Sequence, residues 1–170
     1  MKNCVNIFLI SISILFILLG CGGAYSFTGG NTGEAKTIQV DFFQNQAPLI
    51  EPTLSQKFTQ DLQELFTRQT NLTLVNTNGQ LHFSGEIVDY RINPMSATAD
   101  QKAAQNRLTI TVNVIFENSL NEKDNFEKRF SFYHDYQATQ QLTGGVLETA
   151  LNKILERITQ DVFNASVAKW

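Results

Sequence analysis

The chain has 170 residues, 42% of them hydrophobic, with 13 Lys and Arg against 16 Asp and Glu. That length supports one domain with a sizeable core, and the mildly acidic, well-mixed charge excludes the clustered basic face that nucleic acid requires. Both cysteines, Cys4 and Cys21, fall within the first 21 residues, which leaves the rest of the chain without a disulfide framework or a Cys-based metal site.

The chain opens with Lys2 and an apolar run from Val5 to Leu19, broken only by Asn6, Ser11 and Ser13. As a helix these residues span roughly 22 Å against a hydrocarbon core of about 30 Å, too short for a comfortable transmembrane span and suited to a secretory leader. Leu18-Leu19-Gly20-Cys21 closes the run as a lipobox. Leu18, Leu19 and Gly20 are the signal-peptidase recognition residues, and the cut before Cys21 leaves a thiol that carries a covalent lipid. The alternative, a short anchor that is never cleaved, lacks a basic stop-transfer flank after Leu19. The expected organisation is a leader over 1–20, an acylated Cys21 with a flexible tether over 21–35, and one domain over 36–170. Loss of Lys2 with the leader takes the formal charge from −3 to −4.

Five glycines between Gly22 and Gly33 favour a tether, in which Tyr25 and Phe27 are the only large groups and are expected to dock on the domain or the membrane interface. Lys36 to Phe43 alternates, with Ile38, Val40 and Phe42 facing one way, and reads as a half-buried strand. Gln44 to Pro52 is a loop. Thr53 then stands as N-cap with Gln56 as its capping-box partner. Leu54, Phe58, Leu62, Leu65 and Phe66 form one apolar helix face, while Gln56, Thr59, Gln60, Gln63 and Thr67 form the wet one.

Asn71 to Asn76 reads as a short strand followed by the turn residues Asn76 to Gly79. Leu81 to Ile92 is a long strand whose apolar parity switches near Gly85–Val88, the pattern of a bulge or bend. Asn93 to Gln105 is expected to be a long loop. Leu108, Ile110, Val112, Val114 and Phe116 alternate without interruption and mark the central strand. After a polar hairpin loop over Asn118 to Asn125, Phe126 to Tyr136 alternates again, with Glu127, Arg129, Ser131, Tyr133 and Asp135 on the other face. Val146 to Val167 is a long helix with the stripe Leu147, Leu151, Ile154, Leu155, Ile158 and Val162. The fold class is therefore α+β: a two-layer sandwich in which two amphipathic helices cover one face of a mostly antiparallel sheet of four to five strands.

A search for chemistry gives no catalytic constellation, so no enzyme is expected. His82 and His134 are the only histidines, neither has carboxylates at metal-ligand spacing, and no nucleophile elbow, His-Glu-x-x-His pair or phosphate-cradling loop is present. No cofactor is expected beyond the lipid on Cys21. Two Asn-x-Ser/Thr sequons, at Asn71 and Asn164, carry no weight in a bacterial lipoprotein. What remains is a binding or assembly surface on the outer sheet face. Arg129 and Tyr133 present charge and ring there, while Arg91 and Arg107 flank the Asn93–Gln105 loop as candidate bidentate donors to an anionic group.

Taken together, Cys21-Gly22-Gly23-Ala24-Tyr25-Ser26-Phe27, the strand Asn106 to Val114, Pro52-Thr53-Leu54-Ser55 and the segment Phe163 to Trp170 resemble the LptE family of lipopolysaccharide (LPS) assembly lipoproteins over residues 21–170. The resemblance implies an outer-membrane, periplasm-facing lipoprotein that plugs and helps assemble the β-barrel LptD and binds LPS. Gly22 after the acylated cysteine, in place of Asp, agrees with release to the outer membrane. No family LPS-binding residue transfers by motif to this chain. The competing readings are a lipid carrier, which needs a lined cavity between the layers, and a pilot lipoprotein of another outer-membrane pore.

Overall fold

The computed structural model describes residues 32–95 and 104–167. The leader, the lipobox and the tether up to residue 31 lie outside the described residues, as do 96–103 and 168–170.

The elements are β1 (Thr37–Val40), β2 (Gln44–Asn45), α1 (Leu54–Gln69), β3 (Thr73–Leu74), β4 (Leu81–Met95), β5 (Gln105–Asn118), a 3-10 turn (Glu122–Asp124), β6 (Phe126–Gln137) and α2 (Gly144–Val167). One sheet runs in the order β3-β1-β4-β5-β6, with β2 also on β4, and β4-β5-β6 form an antiparallel meander. The expected α+β class, mostly antiparallel sheet and two helices on one face are all present.

The middle strand of the sheet is β4; β5, expected to be central, is interior but lies beside the edge strand β6, and every second residue of it is apolar. Leu108, Ile110, Val112, Val114 and Phe116 are buried under the helices, while its odd-numbered residues face the other side. α1 contributes Leu54, Phe58, Leu62, Leu65 and Phe66 to the core, and α2 contributes Leu151, Ile154, Leu155, Ile158, Val162 and Phe163. Phe163 meets Phe66, Phe66 meets Phe83, and Phe83 meets Phe116, with ring centroids 5.1, 4.8 and 4.7 Å apart. These tilted ring pairs join both helices to the two long strands. Ala35 is already buried in this core.

Several local expectations need correction. Phe42 does not follow Ile38 and Val40 inward: it is 58% exposed, and Phe43 is fully buried instead. Val40 pairs with Phe83 but Gln44 pairs with Glu86, so four residues here span three on β4, and the extra one reverses the parity. The capping box is not formed; the Thr53 hydroxyl donates to Glu51 Oε1 at 2.9 Å and gives α1 no side-chain cap. Thr59 is buried on the core side of α1, not wet. The turn after β3 does not close a hairpin, because β1 lies between β3 and β4 and runs parallel to both.

The Asn93–Gln105 loop is shorter than expected, since pairing continues to Met95↔Gln105. Pro94 is tolerated inside β4 by ladder phase. The Ser119 N–H donates to the Gln80 carbonyl, so odd-numbered β5 residues bond to β4, and Pro94 faces even-numbered Asn106. Its missing N–H would have pointed away from β5.

Candidate functional site on the outer sheet face

The bulge expected from the parity switch decides which charges reach the outer face. Ile87 pairs with Val112 and Asp89 with Thr111, leaving Val88 as the extra residue. Before it, even-numbered β4 residues face outward; after it, odd-numbered ones do. That shift places Asp89, Arg91 and Asn93 on the solvated face and turns Tyr90 inward, where it is buried. Burial pushes the Tyr90 hydroxyl up to about 12, with help from the Glu51 and Tyr136 charges.

Cross-strand register then assembles the site. One row is Arg91–Thr109–Tyr133 and the next is Asn93–Arg107–Asp135. The Arg107 guanidinium donates from Nε and Nη2 to the two Asp135 carboxylate oxygens at 2.7 and 2.8 Å. It also lies over the Tyr133 ring, 3.6 Å from the centroid. These hydrogen bonds hold the Asp135 carboxyl below its ordinary range, against a smaller opposing effect of burial. Arg107 is thus placed as a bidentate donor, but its fork is closed on Asp135.

Arg91 is more open. Its side chain is 59% exposed, and Nε lies 3.2 Å from Asp89 Oδ2, leaving the rest of the guanidinium to solvent. Arg129 does not join this group: it lies four residues from Tyr133 along β6, roughly 13 Å away. It belongs to the row Glu86–Asn113–Arg129 and has no ion pair among the described residues. The structure therefore gathers Arg91, Arg107 and Tyr133 and leaves Arg129 apart.

A second polar cluster lies near the opposite end of the same face. His82 Nε2 is 2.9 Å from Asp41 Oδ2, and Nδ1 is 3.1 Å from Glu117 Oε2. Burial pulls the imidazole down, but the hydrogen bonds and charges of Asp41 and Glu117 outweigh it and raise its pKa above the ordinary value. His134, on the core side of β6, is shifted the other way by burial and by Lys153. Among the described residues no group of three or more His, Cys, Asp or Glu side chains is arranged to hold a metal ion, and no helix is long and apolar enough to cross a membrane.

The arrangement offers charge, ring faces and hydrogen bonds on a wet sheet over a filled core, which is the equipment of an assembly surface. A protein-family profile described as LptE, lipopolysaccharide-assembly, matches residues 35–166. The chain belongs to the LptE family. That assignment supports a role as an LPS-assembly lipoprotein of the cell envelope. A comparison with curated proteins gives no match. Among solved structures, a hypothetical protein from Chlamydia trachomatis superposes with a TM-score of 0.55 at 7% identity, covering 79% of this chain and 99% of that one, which shows a shared fold. A minor lipoprotein from Acinetobacter baumannii aligns at 14% identity and TM-score 0.49, covering 76% of this chain and 91% of that one. The rare lipoprotein B from Shewanella oneidensis aligns at 13% identity and TM-score 0.41, over 75% of this chain and 89% of that one.

Sequence reasoning missed Asp135 as the partner of Arg107 and missed the Asp41–His82–Glu117 cluster. The signal for the first was present: both residues have outward parity on consecutive strands, and fixing the hairpin register would have paired them.

Proposed function

We propose that this LptE-family chain is an outer-membrane lipoprotein, anchored on the periplasmic side by a lipid on Cys21, that seats in and helps assemble an LptD-like β-barrel and so takes part in LPS transport. The observation that carries the reading is the family match across residues 35–166. The distribution of polarity agrees with it. A barrel lumen is polar, and a plug for it must turn its apolar groups inward and stay wet outside. Here Phe43, Phe58, Phe66, Phe83, Phe116 and Phe163 are fully buried and the outer face carries Arg91, Arg107, Arg129 and their polar neighbours. The packed aromatic core also argues against a carrier that holds lipid chains between its layers. An acyl anchor adds effective concentration beside a membrane-embedded partner.

The deciding experiment is a mild-detergent pull-down of the tagged lipoprotein from outer membranes with mass spectrometry of what co-purifies. One large LptD-like barrel at near one-to-one stoichiometry is the expected result. Secretin or transporter components in its place would assign the chain to a different pore, and phospholipid bound to the purified protein would favour the carrier.

A further inference from the structure

The sheet has two edges of unequal character. β3 ends one side with two residues, whereas β6 ends the other with the uninterrupted run Phe126–Gln137, paired to β5 without a register shift. The ladder phase identifies which of its backbone groups are free. The Ala138 N–H donates to the Ala104 carbonyl, so even-numbered β6 residues bond to β5 and odd-numbered ones point outward. Among the described residues, the N–H and C=O groups of Glu127, Arg129, Ser131, Tyr133 and Asp135 have no partner. They form a row roughly 26 Å long with no proline and no bulge to blunt it.

An open groove of about 850 Å³ runs beside this edge, between β6 and the C-terminal half of α2, lined by Lys128, Arg129, Phe130, Gln160 and Asn164 among others. Lys128 and Arg129 line it as exposed cations; the one carboxylate in its lining, Asp161, is already held by Arg157 at 3.1 Å.

α2 limits what can dock. It packs chiefly on β6 and also on β5. A second copy pairing through the same edge would place two α2 helices over strands only about 4.8 Å apart, whereas packed helices need 8–10 Å between axes. The edge therefore suits a strand with no helix above it. We propose that β6 receives, by strand addition, an extended segment of the barrel partner that carries carboxylates opposite Lys128 and Arg129. This rests on the barrel reading above and names its mode of contact.

The test is Ser131→Pro in the full lipoprotein. Position 131 sends its N–H outward, so proline there blocks strand addition while sparing the β5–β6 ladder. Ser131→Ala removes the hydroxyl and keeps the N–H. With tagged protein from outer membranes, Ser131→Ala is expected to retain the barrel like wild type, and Ser131→Pro, at an unchanged melting temperature, to retain roughly tenfold less or lower. Equal retention by both variants overturns the strand-addition proposal and leaves the barrel reading standing. No barrel with wild type overturns that reading, and the proposal with it. Should Ser131→Pro fail to fold, backbone exchange decides. The Ser131, Tyr133 and Asp135 amides are expected to exchange roughly a hundredfold more slowly in the wild-type complex than in the free protein. Unchanged exchange overturns the proposal.

Discussion

Gly85 on β4 approaches the carbonyl of Asn113 on β5 so closely that a β-carbon at position 85 would collide with it, and the Phe43 ring stands 2.9 Å from the same point. The backbone of Gly85 also has φ +147°, a conformation that side-chain-bearing residues rarely adopt. Glycine is required here because the space a β-carbon would take is already filled by the Asn113 carbonyl and the Phe43 ring.

Gly85→Ala is therefore expected to destabilise the domain by about 3 kcal/mol or more, combining backbone strain with overpacking. Urea denaturation measures this, with Ser84→Ala as the neighbour that should change stability by no more than about 0.5 kcal/mol. A Gly85→Ala midpoint equal to wild type would mean that β4 and β5 pair in another register.

Thr59 makes a second internal link. Its Oγ1 accepts the buried Phe43 N–H at 3.2 Å and donates to the Ser55 carbonyl at 2.9 Å. Thr59→Val keeps the shape but strands the Phe43 N–H in the core, at a cost of about 1–3 kcal/mol. Thr59→Ser should recover most of that loss. Denaturation of the two variants side by side checks it; equal losses would assign the effect to packing.

Much of this fold was legible because one-dimensional periodicity survives folding. The alternation Leu108–Phe116 marked β5 and its inward face, the two helix stripes marked the covering layer, and the parity switch near Gly85–Val88 marked the bulge. What stayed hidden depends on register between separated segments. The extra residue between Val40 and Gln44, which exposes Phe42, is visible only against Phe83 and Glu86 on β4. Thr59 looked wet because its burial comes from Phe43, which the broken strand delivers. The three arginines were recognisable as outward or loop-flanking residues, but their grouping was not: Arg91 and Arg107 converge across the β4–β5 ladder, while Arg129 remains at the far part of β6.

Val112 is fully buried on β5, an interior strand of the sheet. Val112→Asp places an unpaired carboxylate in the buried core of the sheet and should cost more than about 4 kcal/mol, enough to unfold a domain of ordinary stability. Circular dichroism should show loss of the cooperative thermal transition. Retention of the wild-type transition would mean the faces of β5 are reversed.

Cys21→Ser tests the proposed lipid anchor separately from the fold. The described domain begins its core at Ala35, well beyond Cys21, so the variant should fold and melt like wild type. Expressed in cells lacking the proposed barrel partner, it should move from the membrane to the soluble fraction. Continued membrane association would show that the leader itself is the anchor.

His82 couples the end of β1 to β5 through Asp41 and Glu117, and its charge makes that coupling pH-dependent. Its folded pKa is raised above the ordinary 6.5 because both carboxylates favour the imidazolium, despite the opposing effect of burial. A raised histidine binds its proton more tightly in the folded state than in the unfolded one, so its stabilisation is fully present below about 6.5 and is lost as pH rises through the folded pKa. The Asp41 carboxyl stays ionised across that range: burial raises its pKa, but the hydrogen bonds from Gln39 and His82 outweigh burial and bring it below the ordinary carboxylate value. The carboxylates are substantially exposed, 43% at Asp41 and 59% at Glu117, so screening limits the effect to under about 1 kcal/mol. Melting temperatures of wild type and His82→Gln, compared from pH 5 to pH 8, should differ most at the acidic end and converge toward the alkaline end. Adding salt should shrink the acidic difference. Two curves that stay parallel over the whole range would show that the imidazole gains no charge-dependent stability from Asp41 and Glu117.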